Sequence, residues 1–199
     1  MRSVDELVGG GAPIIGEPLP IELANTRYAV RGQPRDGLLT PEHLATWLRD
    51  CRGKPRTILG DADLLGVTGS DLGVARQLRD AVHEILAAVV SGNEPPQRAV
   101  AALNRVARSV PRWPQLRWGE PPQSDSDARS RPVAAALAEI AGAAIDLVTG
   151  PHRSLIRACR APGCVLFFIQ SHPRRTWCSE GCGNRARVAR YQARRLLEG

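Results

Sequence analysis

Four of the five cysteines fall within 24 residues: Cys159-Arg-Ala-Pro-Gly-Cys164, thirteen intervening residues, then Cys178-Ser-Glu-Gly-Cys182. Two close thiol pairs separated by a short insert can wrap one tetrahedral cation, and Zn2+ suits four thiolates. The Pro162-Gly163 step before Cys164 supplies the tight turn of a metal knuckle, where backbone N–H groups point at sulfur. An iron–sulfur cluster also takes four thiolates, but the polar, arginine-rich surroundings and small size favour structural zinc. Disulfides would need an oxidising compartment, for which the sequence carries no signal. His152 and His172 could substitute for a thiolate, yet four cysteines already complete the shell, and Cys51 stands alone.

The second chemical feature is charge placement. The 199 residues carry 27 basic and 20 acidic side chains, a net +7. Residues 1–150 hold 17 bases and 18 acids, whereas residues 151–199 hold ten arginines against Glu180 and Glu198. The whole excess therefore sits in the last quarter, the footprint of a polyanion-binding module. Lys54 is the sole lysine, so a general preference for arginine reflects composition, but composition does not explain the lopsided placement. Read at 100° per residue, Cys182, Ala186, Ala189, Ala193, Leu196 and Leu197 share one side of a helix, facing metal and hairpin. Arg187, Arg190, Tyr191 and Arg194 share the other. With Arg174 and Arg175 on a nearby turn, these arginines are the candidate phosphate contacts. The competing reading is a solvated basic face.

Other chemistry is thin. His43 and His83 lie on expected helices without a ligand partner at suitable spacing, and ordinary surface or packing roles suit them. Gly66-Val-Thr-Gly-Ser70 lacks the lysine and the spacing of a phosphate loop and reads as the approach to a helix. No nucleophilic triad or paired-carboxylate motif stands out, and a non-enzymatic protein is expected.

The elements that must position these groups are mostly helical. Residues 1–18, rich in Gly and Pro, read as a flexible leader. Leu19 to Tyr28 reads as a short strand or the start of a helix, and the alternation at 19, 21 and 23 leans toward the strand. Thr40-Pro41 opens a helix to Cys51, and further helices are expected over 71–90, 96–109 and 128–149. Pro111 to Trp118 is extended and 120–130 a loop. Gly150-Pro151 is the boundary between a helical domain, 19–150, and a finger, 151–199. Within the finger, Val165 to Ile169 and Thr176-Trp177 predict a hairpin between the cysteine pairs, with the second pair opening a helix. Knuckle, hairpin and ligand-bearing helix make a treble-clef-like finger. The fold class is thus mostly α with a small zinc finger.

The longest apolar stretch, Val133 to Val148, holds only 16 residues and includes Glu139 and Asp146, short of the about 20 a spanning helix needs. The N-terminal MRSVDELVGGGAP has no apolar core of a signal peptide, so a cytoplasmic protein without membrane association is expected.

Trp177-Cys178-Ser179 followed by Cys182-Gly-Asn-Arg185 resembles the signature of the CGNR zinc-finger family. The likeness extends through Cys159-x4-Cys164 and Ala186-Arg-Val-Ala-Arg-Tyr191, about 40 residues in all. Leu23-Ala-Asn-Thr26, Leu44-Ala-Thr-Trp-Leu48 and Leu147-Val-Thr-Gly150 are similar to the ABATE domain that usually precedes this finger. The resemblance implies a bacterial transcription regulator, stress-induced, with a helical N-terminal domain and a zinc- and DNA-binding C-terminal one. Asn184 and Arg185 match the signature; beside a ligand cysteine they suit hydrogen bonding around the metal or at the helix start as readily as DNA contact.

The leading expectation is therefore a regulator in which zinc folds the finger, the arginine helix meets DNA, and the helical domain senses an effector or forms a homodimer. RNA binding is the first alternative, using Trp177, Phe167 and Phe168 as a stacking platform. The second is a small-molecule pocket or enzyme in the helical domain, around Asn25, Thr26 and Arg27, with a purely structural finger. The near-neutral charge and helical stripes of 1–150 suggest that this part folds without the finger.

Overall fold

The computed structural model describes residues 11–51, 59–111, 113–127 and 131–197. Among them are seven α-helices and three two-stranded antiparallel sheets. The helices are α1 (Leu19–Ala24), α2 (Pro41–Asp50), α3 (Asp61–Leu65), α4 (Gly69–Ser91), α5 (Gln97–Ala107), α6 (Pro132–Thr149) and α7 (Glu180–Leu197). Strands β1 (Arg27–Val30) and β2 (Gln33–Asp36) pair, as do β3 (Trp113–Arg117) with β4 (Gln123–Asp127) and β5 (Ile156–Ala158) with β6 (Phe167–Ile169).

Local signals set the long helices. Thr40 caps α2, its side chain accepting the His43 N–H, with Pro41 in the first turn. Thr68 and Asp71 form a reciprocal capping box at α4, so only Gly66 to Thr68 approach the helix, and Gly69 and Ser70 are already its first turn. Leu72, Ala75, Leu78, Val82, Ile85 and Leu86 then bury one stripe of α4 against α1, α5 and α6. On α6 the small residues Ala136, Ala141 and Ala144 are almost wholly buried, which lets neighbouring backbones approach closely. By length and composition α6 could cross a membrane, but its apolar residues form the centre of the core.

Four expectations need correction. Residues 19–24 form a helix and only 27–30 a strand, because every α1 residue is buried and an all-round buried helix carries no 3.6-residue stripe. Residues 123–127, expected in a loop, form β4, held to β3 by main-chain bonds that a Gln-Ser-Asp sequence does not advertise. The finger hairpin pairs 156–158 with 167–169, so the first cysteine knuckle is its turn and Thr176-Trp177 is not a strand. Residues 11–18 are not a loose leader: Ala12, Ile14 and Glu17 are buried. Residues 1–10 lie outside the described part.

The expected boundary at 150/151 coincides with the end of α6, but not with the edge of a core. Ile156, Phe167 and Ile169 belong to the same apolar cluster as α1, α4 and α6. Conversely, Tyr28 of β1 packs in the finger cluster with Leu166, Phe168 and three of the cysteines.

Candidate metal centre and nucleic-acid interface

The four expected ligands converge. Their sulfurs lie within 4.8 Å of one another, with Cys164 Sγ 3.7 Å from Cys178 Sγ and Cys178 Sγ 3.4 Å from Cys182 Sγ. Disulfide sulfurs sit about 2.05 Å apart, whereas four sulfurs each about 2.3 Å from one tetrahedral ion lie just under 4 Å apart. The separations match the second geometry. Cys159, Cys178 and Cys182 are buried and Cys164 is half-buried, so this centre is closed, as structural sites are.

Main chain and helix bring the thiols together. The Cys159 N–H donates to the Leu166 carbonyl across the hairpin, and the Cys164 N–H to the Ala161 carbonyl within the knuckle. Gly163 turns the knuckle with φ +70°, and a Cβ there would come 3.1 Å from Gly32 Cα in the β1–β2 turn. Cys182 lies in the first turn of α7. Gly183 beside it lies against Trp177, where a Cβ would meet the indole at 3.1 Å. A larger residue after the last ligand would have to displace the Trp177 ring by a few tenths of an ångström.

Gathered this closely, the four thiols compete for protons. Hydrogen bonds from Cys164 and Cys178 bring Cys159 down to about 6, and bonds from Cys159, Cys164 and Cys178 also lower Cys182. Cys164 and Cys178 are pushed up as the donors, chiefly toward Cys159. A divalent cation resolves the conflict by letting all four ionise, and four thiolates around Zn2+ leave two negative charges. Arg185 answers them: its Nη2 donates to Cys182 Sγ at 3.0 Å while its Nε is buried. Asn184 is exposed and accepts from Arg187 through Oδ1. The donor set, spacing and charge fit zinc.

A family model described as "ABATE: Putative stress-induced transcription regulator" matches residues 17–151, more than half the chain. The chain belongs to the ABATE family. A second model, the CGNR zinc finger, matches residues 156–195 and so spans all four ligands and most of α7. A search of curated proteins found no match. Zinc is the cofactor of this ABATE protein, held in its CGNR finger.

The candidate arginines fall into two groups. Arg187, Arg190 and Arg194 are exposed on α7, as is Arg174 on the preceding turn. Arg190 Nε reaches the Ala186 carbonyl, and Arg195 lies over Tyr191 at 5.9 Å. Among the described residues no carboxylate pairs with these α7 arginines. Arg175 is different. It pairs with the buried Glu17 at 2.7 Å, donates to the Ile169 and Cys178 carbonyls, and lies 5.0 Å from the Phe168 centroid. It fastens the finger to the ABATE domain.

The other candidate set, Asn25, Thr26 and Arg27, is similarly engaged. Asn25 is fully buried and makes two bonds to one finger residue, accepting the Phe167 N–H at 2.8 Å and donating to the Phe167 carbonyl at 2.9 Å. Thr26 donates to the Leu23 carbonyl, and Arg27 pairs with Asp80 near the surface. Asn25 thus acts as an extra strand edge for β6. Glu17 was missed from sequence: its Oε2 accepts the Ile169 N–H at 3.0 Å. A lone acid in a Gly/Pro-rich stretch carries no signal of a partner 152 residues away.

Proposed function

We propose that the protein binds duplex DNA through the exposed arginine face of α7, with the ABATE domain as a rigid mount for the finger. The observation that carries this reading is the setting of α7. Its first turns are pinned by Cys182, Gly183 and Ala186, all buried, while every described residue from Arg190 to Arg195 is exposed. A helix anchored at one end, with guanidinium groups along the rest that no described carboxylate neutralises, suits a phosphate backbone beside a groove. Zinc, when bound, cross-links the knuckle to the first turn of α7 and so fixes where the helix emerges.

RNA recognition by stacking has less support. Phe167 and Phe168 are 4% and 1% exposed, which leaves the half-buried Trp177 as the one aromatic of the three with accessible surface, too little for a stacking platform.

The zinc-loaded full chain, titrated onto duplex DNA and single-stranded RNA across a salt series, tests the proposal. Arg190→Ala and Arg194→Ala should each weaken binding to all duplex sequences alike and lower the salt slope by roughly one unit for each phosphate no longer neutralised. Arg98→Ala, on α5 and paired with Glu84 of α4, should change neither. Full affinity and full salt dependence in both α7 variants would reduce the helix to a solvated face.

A further inference from the structure

A cleft of about 440 Å3 opens between the C-terminal end of α4, the 3₁₀ turn Pro151–Leu155 and the β5–β6 hairpin. Its volume falls within the roughly 300–1,000 Å3 of small-molecule sites, and it lies where the ABATE domain meets the finger, a favoured place for one. Four guanidinium-bearing residues line it: Arg153, Arg157, Arg160 and Arg175. No Asp or Glu is among the lining residues. Glu17, the acid tied to Arg175, also binds the Ile169 amide and so is committed to the hairpin.

The arginines differ in freedom. Arg157 is held by the Ser154 and Ile156 carbonyls through Nη1, which fixes its guanidinium at the cleft without neutralising it. Arg153 and Arg160 are exposed, and no carboxylate pairs with either among the described residues. Val89 and Val90 of α4, both half-buried, add apolar surface to the lining. Unneutralised arginines beside apolar surface suit a ligand with an oxyanion at one end and a hydrocarbon or ring at the other.

We infer that this cleft binds a small phosphate monoester carrying an apolar group, its phosphate on Arg153, Arg157 and Arg160 and its apolar part against Val89 and Val90. The site is separate from the α7 face and stands whether or not that face binds DNA. A ligand here touches both the ABATE domain and the hairpin that carries the first zinc knuckle, so it is placed to bias how firmly the two are joined.

The experiment is calorimetric titration of the zinc-loaded full chain with phenyl phosphate and, in parallel, inorganic phosphate. One saturable phenyl phosphate site per chain is expected, several-fold tighter than inorganic phosphate because the apolar surface is used. Arg153→Ala and Arg160→Ala should each weaken it about tenfold, the scale of one charge-assisted hydrogen bond, and Arg194→Ala should leave it unchanged. Absence of saturable binding at millimolar phenyl phosphate, or binding indifferent to both cleft substitutions, overturns the inference. So does a result in which these variants lose duplex DNA affinity while phenyl phosphate never binds, which would make the cleft an extension of the nucleic-acid surface. Failure of DNA binding alone, with phenyl phosphate still bound, counts only against the α7 reading.

Discussion

At the residue scale, two side chains with similar sequence standing have opposite structural weight. Asn25 and Arg27 both follow the Leu23-Ala stretch, yet Asn25 satisfies both polar groups of Phe167 in a buried setting and Arg27 makes a half-exposed ion pair. Asn25→Ala orphans a buried N–H and a buried carbonyl, each costing about 1–3 kcal/mol. Arg27→Ala removes a pair worth at most about 1 kcal/mol. Thermal melts should therefore separate the two variants by several degrees, with faster amide exchange at Phe167 in the first. Equal melting temperatures would show that the finger is not held through Asn25. Arg185 belongs at this scale too. Its bond to Cys182 Sγ predicts that Arg185→Ala weakens zinc binding by about 10–100-fold, as read by competition with a chromophoric chelator. Unchanged zinc affinity would leave Arg185 to other duties.

At the scale of elements, α7 depends on the metal more than any other helix does. Its described residues beyond Ala186 are half-buried or exposed, and a short isolated helix is marginal in water. Chelation of zinc should remove exchange protection from α7 while α4 and α6, buried in the main core, keep theirs. Persistent protection of α7 in metal-free protein would mean that interactions other than the thiolates hold it. Another element-scale test concerns the β1–β2 hairpin. Burial pushes the Asp36 carboxyl up, but bonds from Arg79 and from the Leu38 N–H outweigh this and hold it below the usual carboxylate range. A depressed folded-state value means stability present above the ordinary carboxylate pKa of about 4 and lost as pH falls through the folded value. Asp36→Asn should flatten that acid limb of the stability profile, as measured by urea melts at stepped pH, and an unchanged limb would assign it to other carboxylates.

At the scale of the whole molecule, the ABATE domain and the finger share one core. Ile156, Phe167 and Ile169 pack with α1, α4 and α6, and Glu17, Asn25 and Arg175 cross-tie the same junction. A fragment ending at residue 150 would uncover apolar surface and leave the Asn25 amide without its Phe167 partners. Its near-neutral charge suggests independence, but the structure predicts that it melts well below the full chain and binds a hydrophobic dye. A fragment melting cooperatively at the full-chain temperature would restore the two-unit picture.

Features that depend on local spacing are written in the chain itself. The four thiolates, the knuckle turn, the capped starts of α2 and α4 and the arginine stripe each span a few residues, and steric, capping and helical periodicities act over that range. The metal centre was legible because its ligands fall in two short pairs, and hydrophobic stripes likewise betrayed the long helices. Which of the arginines are free is a matter of packing alone. Arg174 and Arg175 are neighbours in sequence, but the second is bound by Glu17 while the first is exposed. Packing also makes Asn25 serve the finger, closes the hairpin around the knuckle, and gathers four arginines in one cleft. Each of these depends on partners scattered far along the chain. Contact between distant residues is set by how whole elements bury their apolar faces together, and no local pattern of residues records it.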